Sequence, residues 1–323
     1  MATMSREAGH IDRNTALLRL ITYLKDQNYH FITPTPATHA RILDRAPDRQ
    51  AKDLRDIFGW SLLFTPQQID ARLLDILNEA DAMEQQGDHL KSRFRVSTLG
   101  RDLFLHSAYP TDDEDAVFFG PDSYRFARLI AQQLSRCPQR EGARLVDIGT
   151  GAGVGAIVAA HLCPKVDVIM TDINPFALHL AHINAQAAGV SGQFLQTGDL
   201  AQLDGDFDLL LANPPYIADS AGRAYRDGGG MHGGEISLDM ARQALPRLAA
   251  GGRFILYTGS AIVDGRDRLH ERLADLAQQQ DCQFHYEEID PDVFGEELET
   301  DAYRDVERIA LIASVIERKD GLR

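Results

Sequence analysis

Cysteine is scarce in this sequence, with three residues among 323. Cys137, Cys163 and Cys282 are odd in number and widely spaced, which excludes a disulfide framework and the closely paired cysteines of a zinc site. Scattered cysteines are typical of proteins from a reducing compartment. We therefore predict a cytoplasmic protein that has neither disulfides nor a bound metal.

Long apolar segments and an excess of basic residues are also absent. No apolar run reaches the roughly 18 residues of a membrane-spanning helix, and residues 1–14 lack the apolar core of a signal peptide. We therefore expect no membrane association. Acidic residues outnumber basic residues by 48 to 33, for a formal net charge of −15, which disfavours a nucleic-acid partner. The oligomeric state stays open.

Beyond residue 113 the sequence alternates between predicted strands and helices. Such alternation builds a parallel sheet with helices on both faces. The last two predicted strands have no helix between them, so we expect them to pair antiparallel. The prediction is an α/β fold with a Rossmann-like, doubly wound, seven-stranded sheet and an antiparallel last strand. The predicted strands cover residues 144–148, 167–171, 193–196, 208–212, 253–258, 282–287 and 308–315.

The first 112 residues follow a different pattern. Leu17, Leu20 and Leu24 share one face of an amphipathic helix, and residues 94–98 alternate like a strand. We predict a mainly helical N-terminal substrate-recognition domain over 1–112, with a small hairpin and a winged-helix-like arrangement. The domain with the α/β fold then covers 113–323.

A glycine-rich segment follows the first predicted strand of the α/β domain. It begins with Asp147 and reads DIGTGAGVG. Glycines let the backbone approach a ligand closely, and the following helix N-terminus adds N–H donors. A dinucleotide would suit the glycines as well, but Asp147 would repel a pyrophosphate and attract an ammonium group. The segment therefore favours a cofactor that carries an amino-acid cation, as S-adenosyl-L-methionine does.

Two further carboxylates follow the next two predicted strands. Asp172 lies where an acid in Rossmann-like sheets accepts hydrogen bonds from both ribose hydroxyls. Asp199 can accept from the adenine amine, with Ile173 and Leu200 on either side of the ring. Each acid alone would usually be a helix cap or a solvated loop residue. Three acids after three successive strands indicate one nucleoside site.

Residues 209–217 read LLLANPPYI and predict a buried strand that ends in a rigid turn, here called the elbow (residues 213–216). Pro214 and Pro215 remove two backbone donors just beyond the strand, where open α/β sheets bind ligands. Asn213 Oδ1 and the Pro214 carbonyl can accept both N–H bonds of a planar NH2 group, and Tyr216 can stack on its plane. In isolation the turn could still be an ordinary loop, since short motifs match by chance.

Together, DIGTGAGVG, TDINPFAL, TGDL and NPPY resemble the motifs of class I S-adenosylmethionine-dependent methyltransferases, and most closely the HemK-type (PrmC-like) protein-glutamine N-methyltransferases. The resemblance covers residues 117–323. It implies N-methylation of an amide or conjugated NH2 group, on a protein glutamine or a small molecule, with S-adenosyl-L-homocysteine as product. It implies catalytic roles for Asn213, Pro214, Pro215 and Tyr216. The cofactor-binding residues, from the resemblance and the patterns above, are Phe119, Asp147, Gly149, Thr150, Gly151, Asp172, Ile173, Asn174, Gly198, Asp199, Leu200 and Asn213.

Some segments depart from the family pattern. The segment before the first helix reads Gly-Pro-Asp-Ser at 120–123, where the family has Pro-Arg-Pro-Glu-Thr, and the N-terminal region has no obvious match. An acidic insertion over 290–305 is a lid, a docking surface for a cationic substrate, or a solvated loop. The glycine-rich segment 225–235 is predicted to be a flexible substrate loop.

Three other functions stay open at this point. A nucleic-acid amine methyltransferase would flip its base into the same pocket, although the acidic charge disfavours it. An enzyme could also use S-adenosylmethionine itself as substrate, for example by cyclising it. A cofactor-binding interaction protein without catalysis is disfavoured by the intact NPPY motif. His179 and His182 lie three residues apart but have no evident further ligands, so metal binding is not expected.

Overall fold

The computed structural model describes residues 12–218 and 226–320. Most of the N-terminal stretch used above to exclude a signal peptide lies outside this range. The chain divides into two compact units, Met1–Pro110 and Thr111–Arg323. No helix among the described residues is long and apolar enough to cross a membrane.

Within residues 12–110, the N-terminal unit combines four α-helices with two hairpins. Apolar faces pack α1 against α4, since Leu17 and Leu20 of the former and Leu73 and Ile76 of the latter are fully buried. The winged-helix interpretation stays a prediction, but the unit contains two antiparallel hairpins rather than one small hairpin. The elements are α1 Arg13–Asp26, α2 Pro36–Asp44, α3 Leu54–Phe58, α4 Ala71–Glu79, β1 Met83–Gln86, β2 His89–Ser92, β3 Phe94–Leu99 and β4 Asp102–Ser107.

The C-terminal unit is built around one large sheet. Its elements are α5 Pro121–Arg136, β5 Arg144–Ile148, α6 Val154–Leu162, β6 Asp167–Asp172, α7 Pro175–Ala188, β7 Gln193–Gln196, β8 Phe207–Ala212, α8 Glu235–Ala244, β9 Leu248–Val263, β10 Arg266–Asp267, α9 Arg268–Gln279, β11 Cys282–Asp290 and β12 Arg308–Arg318. The order across the sheet is β11-β12-β9-β8-β5-β6-β7, with the short β10 paired to β9. Strand β12 runs antiparallel to both β9 and β11, whereas β5 to β9 run parallel. The predicted doubly wound sheet with an antiparallel last strand is confirmed.

The strand predicted over 253–258 is longer in the structure. Strand β9 already begins at Leu248, because helix α8 ends at Ala244 and Pro246 lies in a 3-10 turn between them. Helix α9 begins at Arg268. Asp267 is its N-cap and accepts a hydrogen bond from His270 N at 2.9 Å, so the two residues before the helix are free to pair as β10.

The register of the central strands brings the predicted site residues to one edge of the sheet. Ile148 at the end of β5 pairs with Thr171 of β6 on one side and with Ala212 of β8 on the other. The loops after these three strands therefore begin side by side. Beneath them, Phe254 and Leu256 of β9 pack with α8 and α9 in a core whose aliphatic side chains each contribute about 1.5–3 kcal/mol when fully buried.

Candidate active site

The loop between β5 and α6 is shaped by its glycines. Gly149, Gly151 and Gly153 have φ angles of 65°, 54° and 85°, a region that costs other L-residues about 1–2 kcal/mol. Two hydrogen bonds then fix the loop. Thr150 N donates to Thr171 O of β6 at 2.9 Å, and the Asn184 side chain donates to Ala152 O at 2.9 Å. The backbone is thus held in a tight turn at the carboxyl end of the sheet.

Asp147 lies under this turn and is only 2% exposed. Its Oδ2 accepts hydrogen bonds from Thr150 Oγ1 at 2.6 Å and from Ala156 N at 3.0 Å. Burial raises the pKa of the Asp147 carboxyl to about 6, although these two hydrogen bonds oppose the shift. A buried carboxylate that is costly to ionise gains from a nearby cation, so this position favours a cationic ligand.

Asp172 ends β6 and is 9% exposed. Its Oδ2 accepts from Gly151 N and its Oδ1 from Asn174 N, both at 2.9 Å, and burial raises the pKa of the carboxyl. A carboxylate has about four lone-pair sites, so both oxygens retain acceptor capacity for a ligand. Asn174 caps α7 through Phe176 N and donates to Asp115 O at 2.8 Å, which orders the start of the helix beside Asp172.

An exposed apolar surface adjoins Asp172. The Ile173 side chain is 63% exposed, and a Cβ at Gly198 would lie 2.9 Å from its Cγ2. Asp199 Oδ1 accepts from Ala201 N at 2.8 Å and so caps a short 3-10 turn. Leu200 is 2% exposed and belongs to the core, so its contact with an adenine ring stays a prediction.

Phe119 precedes α5 and is fully buried, with its ring edge against Tyr124 at a centroid distance of 5.3 Å. It therefore supports the segment before α5 from inside. Its predicted contact with the cofactor stays a prediction.

The elbow presents a polar side chain that has no hydrogen-bond partner among the described residues. Asn213 follows β8 and is partly exposed, and within residues 12–218 and 226–320 its amide makes no hydrogen bond. Ala212 before Asn213 and Pro214 after it are buried, so the backbone packs against the domain on both sides of Asn213. An unpartnered amide on a rigid backbone is suited to an external hydrogen-bonding group.

Tyr216 is held from three directions. Its hydroxyl donates to Asp122 Oδ2 at 2.7 Å, and a Cβ at Gly259 would lie 2.3 Å from its ring. The Phe294 ring meets it edge-on at a centroid distance of 5.8 Å. Burial, and then the Asp122 carboxylate, raise the pKa of Tyr216 well above its ordinary value, so the hydroxyl stays protonated. Only 7% of the residue is exposed, and its stacking on a substrate stays a prediction.

The acidic insertion packs against the chain beyond the elbow. Tyr303 is 1% exposed, and its hydroxyl accepts from Ala218 N at 2.8 Å and donates to His232 O at 3.0 Å. Glu297 forms an ion pair with Arg226. Tyr303 and Glu297 therefore anchor the insertion to Ala218 and Arg226. Most of its acidic residues are nevertheless exposed, as the solvated-loop interpretation predicts: Asp292, Glu296, Glu299 and Asp301.

The described part of the predicted flexible loop is tightly packed. A Cβ at Gly233 would lie 2.2 Å from Tyr216 O, and one at Gly228 would lie 1.9 Å from Gly233 O. These two glycines let residues 226–234 approach the elbow backbone closely. Residue 225, the first of that predicted loop, lies outside the described residues.

Asp122, Phe294 and Tyr303 were not among the predicted site residues. The sequence offered a reason to consider Asp122, because it lies in the segment around Pro121 that resembles a family motif. Phe294 and Tyr303 lie in an insertion that matches no motif. Among the described residues, no group of three or more His, Cys, Asp or Glu side chains could hold a metal. His182 instead meets the Phe194 ring edge-on, at a centroid distance of 4.9 Å.

Comparison with known proteins identifies the domain that carries this site. Residues 125–264 match the family described as Methyltransferase small domain. Release factor glutamine methyltransferases are similar: that of Deinococcus radiodurans is 34% identical over 45% of this chain and 55% of its own length. That of Bradyrhizobium diazoefficiens is 27% identical over 68% of this chain and 79% of its own length.

A methyltransferase named for another substrate is similar as well. Ribosomal RNA small subunit methyltransferase C of Serratia proteamaculans is 28% identical over 44% of this chain and 39% of its own length. The chain thus spans little more than half of the Deinococcus relative and less than half of the Serratia relative. The family match and the glutamine methyltransferase relatives confirm the resemblance seen in the motifs. The chain is therefore similar to class I methyltransferases of HemK type, and residues 125–264 of its C-terminal unit match the methyltransferase small domain.

Proposed function

We propose that this chain transfers a methyl group from S-adenosyl-L-methionine to the side-chain amide nitrogen of a glutamine in a protein. The observation that carries the proposal is the Asn213 amide, which has no hydrogen-bond partner within residues 12–218 and 226–320. Asn213 begins the loop after β8, beside the Asp147 loop of β5. Similarity to release factor glutamine methyltransferases supports a bacterial release factor as acceptor.

The residues at the edge of the sheet fit this cofactor. A Cβ at Gly151 would meet no atom within 4 Å, which leaves open space over the turn. In our proposal the ammonium lies near Asp147 and Gly149, the ribose on Asp172, and the adenine against Ile173 with its amine at Asp199. When bound, the cofactor supplies an electrophilic methyl group on a sulfonium, a good leaving group.

The elbow would activate the acceptor by alignment. An amide nitrogen is a poor nucleophile because its lone pair is delocalised. When Asn213 Oδ1 and the Pro214 carbonyl accept both N–H bonds, the amide nitrogen is held with its lone pair directed at the methyl group. The same two hydrogen bonds increase the electron density on this nitrogen. No strong general base is needed, since methyl transfer itself makes the N–H acidic.

The proposal extends to the N-terminal unit and to the location of the protein. We infer that residues 1–112 select the acceptor protein, because they fold as a compact unit with its own buried core. A cytoplasmic location is proposed from the cysteines, which are all free.

The test measures methyl transfer to a purified, unmethylated bacterial release factor, with mass spectrometry of the modified peptide. Asn213→Ala should lower turnover by about two orders of magnitude or more while cofactor affinity in calorimetry stays near that of the wild type. Asp172→Asn is the contrasting variant and should weaken cofactor binding instead. Wild-type turnover by Asn213→Ala would contradict the proposal, and cofactor consumption without any acceptor would favour cyclisation.

A further inference from the structure

Asp122 lies where the segment before α5, the elbow and strand β9 meet. It is the second residue of α5 and is 8% exposed. Its Oδ2 accepts from the Tyr216 hydroxyl at 2.7 Å and its Oδ1 from the Tyr257 hydroxyl at 2.8 Å. Arg125 Nη1 lies 3.4 Å from the same Oδ1. One buried carboxylate thus joins three parts of the chain that are far apart in sequence.

We propose that Asp122 is a positioning residue for methyl transfer, which holds the elbow at the distance from the cofactor that the reaction requires. This inference rests on the proposed function. It assigns to Asp122 no contact with the substrate or with the cofactor.

The hydrogen-bonding properties of the Asp122 carboxylate suit it to positioning the elbow. An ionised carboxylate only accepts hydrogen bonds, so both tyrosine hydroxyls must donate to it. Hydrogen bonds to a charged acceptor are roughly twice as strong as neutral ones, and they fix the orientation of both rings. An asparagine at this position would present an NH2 group to one of the hydroxyls and would leave that side mismatched.

The fixed ring transmits its position along the elbow. Tyr216 lies three residues after Asn213, and the two prolines between them have restricted φ angles. A shift of the Tyr216 ring therefore moves Asn213 Oδ1 and the Pro214 carbonyl. Displacement of a positioned group by about 1 Å can cost about 100-fold in rate.

The experiment compares Tyr216→Phe and Tyr257→Phe, which each remove one hydroxyl from the same carboxylate. Tyr257 lies in β9 outside the elbow, so its variant is the matched control for the loss of a buried hydrogen bond. We expect Asp122→Asn and Tyr216→Phe to lower kcat about 10- to 100-fold with little change in cofactor Kd. The decrease in kcat should be much smaller for Tyr257→Phe. Equal losses of kcat in the two tyrosine variants would overturn the inference.

A second measurement does not depend on catalysis. Hydrogen exchange of the peptide covering residues 212–218 should rise in Asp122→Asn and Tyr216→Phe, and less in Tyr257→Phe. If the wild type does not methylate a release factor, the proposed function fails, and this exchange pattern still decides whether Asp122 holds the elbow. Equal exchange in all variants would overturn the positioning role. If Asp122→Asn does not fold, the two tyrosine variants carry the comparison.

Discussion

Replacing Gly155 by alanine should weaken cofactor binding more than it destabilises the fold. A Cβ at Gly155 would lie 2.6 Å from Asp147 Oδ1 and 2.9 Å from its Cγ. The backbone at Gly155 does not have a positive φ, and alanine in a helix is favoured over glycine by about 1 kcal/mol. Overpacking of a filled site costs about 1–3 kcal/mol, so the net loss of unfolding free energy should be about 0–2 kcal/mol.

The effect on the site should be larger, because the atom that must move is the carboxylate. An ordinary contact starts at 3.4 Å, so Oδ1 has to shift by about 0.8 Å (3.4 minus 2.6). The hydrogen bond from Ala156 N to Oδ2, now 3.0 Å, is then strained or lost. The displaced carboxylate is also moved away from the proposed cofactor ammonium, and a hydrogen bond to a charged group contributes about 1.5–3 kcal/mol. We therefore expect the Kd for S-adenosylmethionine to rise about 10- to 100-fold.

Titration calorimetry measures the cofactor Kd, and urea unfolding measures the unfolding free energy, both in the same preparation. Gly295→Ala is the matched control, since a Cβ there meets no atom within 4 Å and its φ is not positive. The control should leave both quantities unchanged. If Gly155→Ala binds the cofactor as tightly as the wild type, the Asp147 carboxylate does not take part in cofactor binding, and this placement of the ammonium is refuted.

Two further predictions follow from the site and from the division of the chain. Since the pKa of Asp147 is raised from 3.8 to about 6, its contribution to stability falls as the pH rises from about 4 through 6, while cofactor affinity rises over the same range. Asp147→Asn should bind the cofactor weakly, and its affinity should not depend on pH in this way. Calorimetry from pH 5 to 8 measures this, and a variant that keeps the pH dependence of the wild type would contradict the prediction. Limited proteolysis should cut near residues 111–115 and leave a C-terminal fragment that still binds cofactor but no longer methylates the acceptor protein. A fragment that unfolds would argue for one fused unit.

Most of the C-terminal fold could be predicted from local sequence patterns. The strand ending at Ile148 is a short apolar run followed by glycines, and α7 begins with the N-cap Asn174 and Pro175, so both boundaries could be predicted. The strand predicted over 253–258 was too short at its start, because Ala249, Ala250, Gly251 and Gly252 are not typical strand residues. The change from helix α8 to strand β9 is determined by Pro246, which lies in the 3-10 turn between them, and by the pairing of β9 with β8.

The contacts that hold the elbow could not be predicted from one sequence. Asp122 and Tyr216 are 94 residues apart, and Tyr303 and Ala218 are 85 residues apart. Neither pair shares a periodic pattern or a motif that would relate its members. In contrast, the common edge for Asn213 and Asp172 could be predicted, because Asp172 ends β6 and Asn213 directly follows β8, and the carboxyl ends of parallel strands reach the same edge of a sheet.

The position of β12 has a consequence for how the protein is made. This strand leaves the ribosome after both of its neighbours, yet it lies between β9 and β11 and hydrogen-bonds to both. Until residues 308–318 emerge, β9 has an open edge of unpaired N–H and C=O groups beside apolar side chains, which is a template for association with other chains. A transcript cut short before codon 308 should therefore yield an aggregation-prone product and not a shortened enzyme. Nascent chains of this protein should need chaperone protection until β12 is inserted.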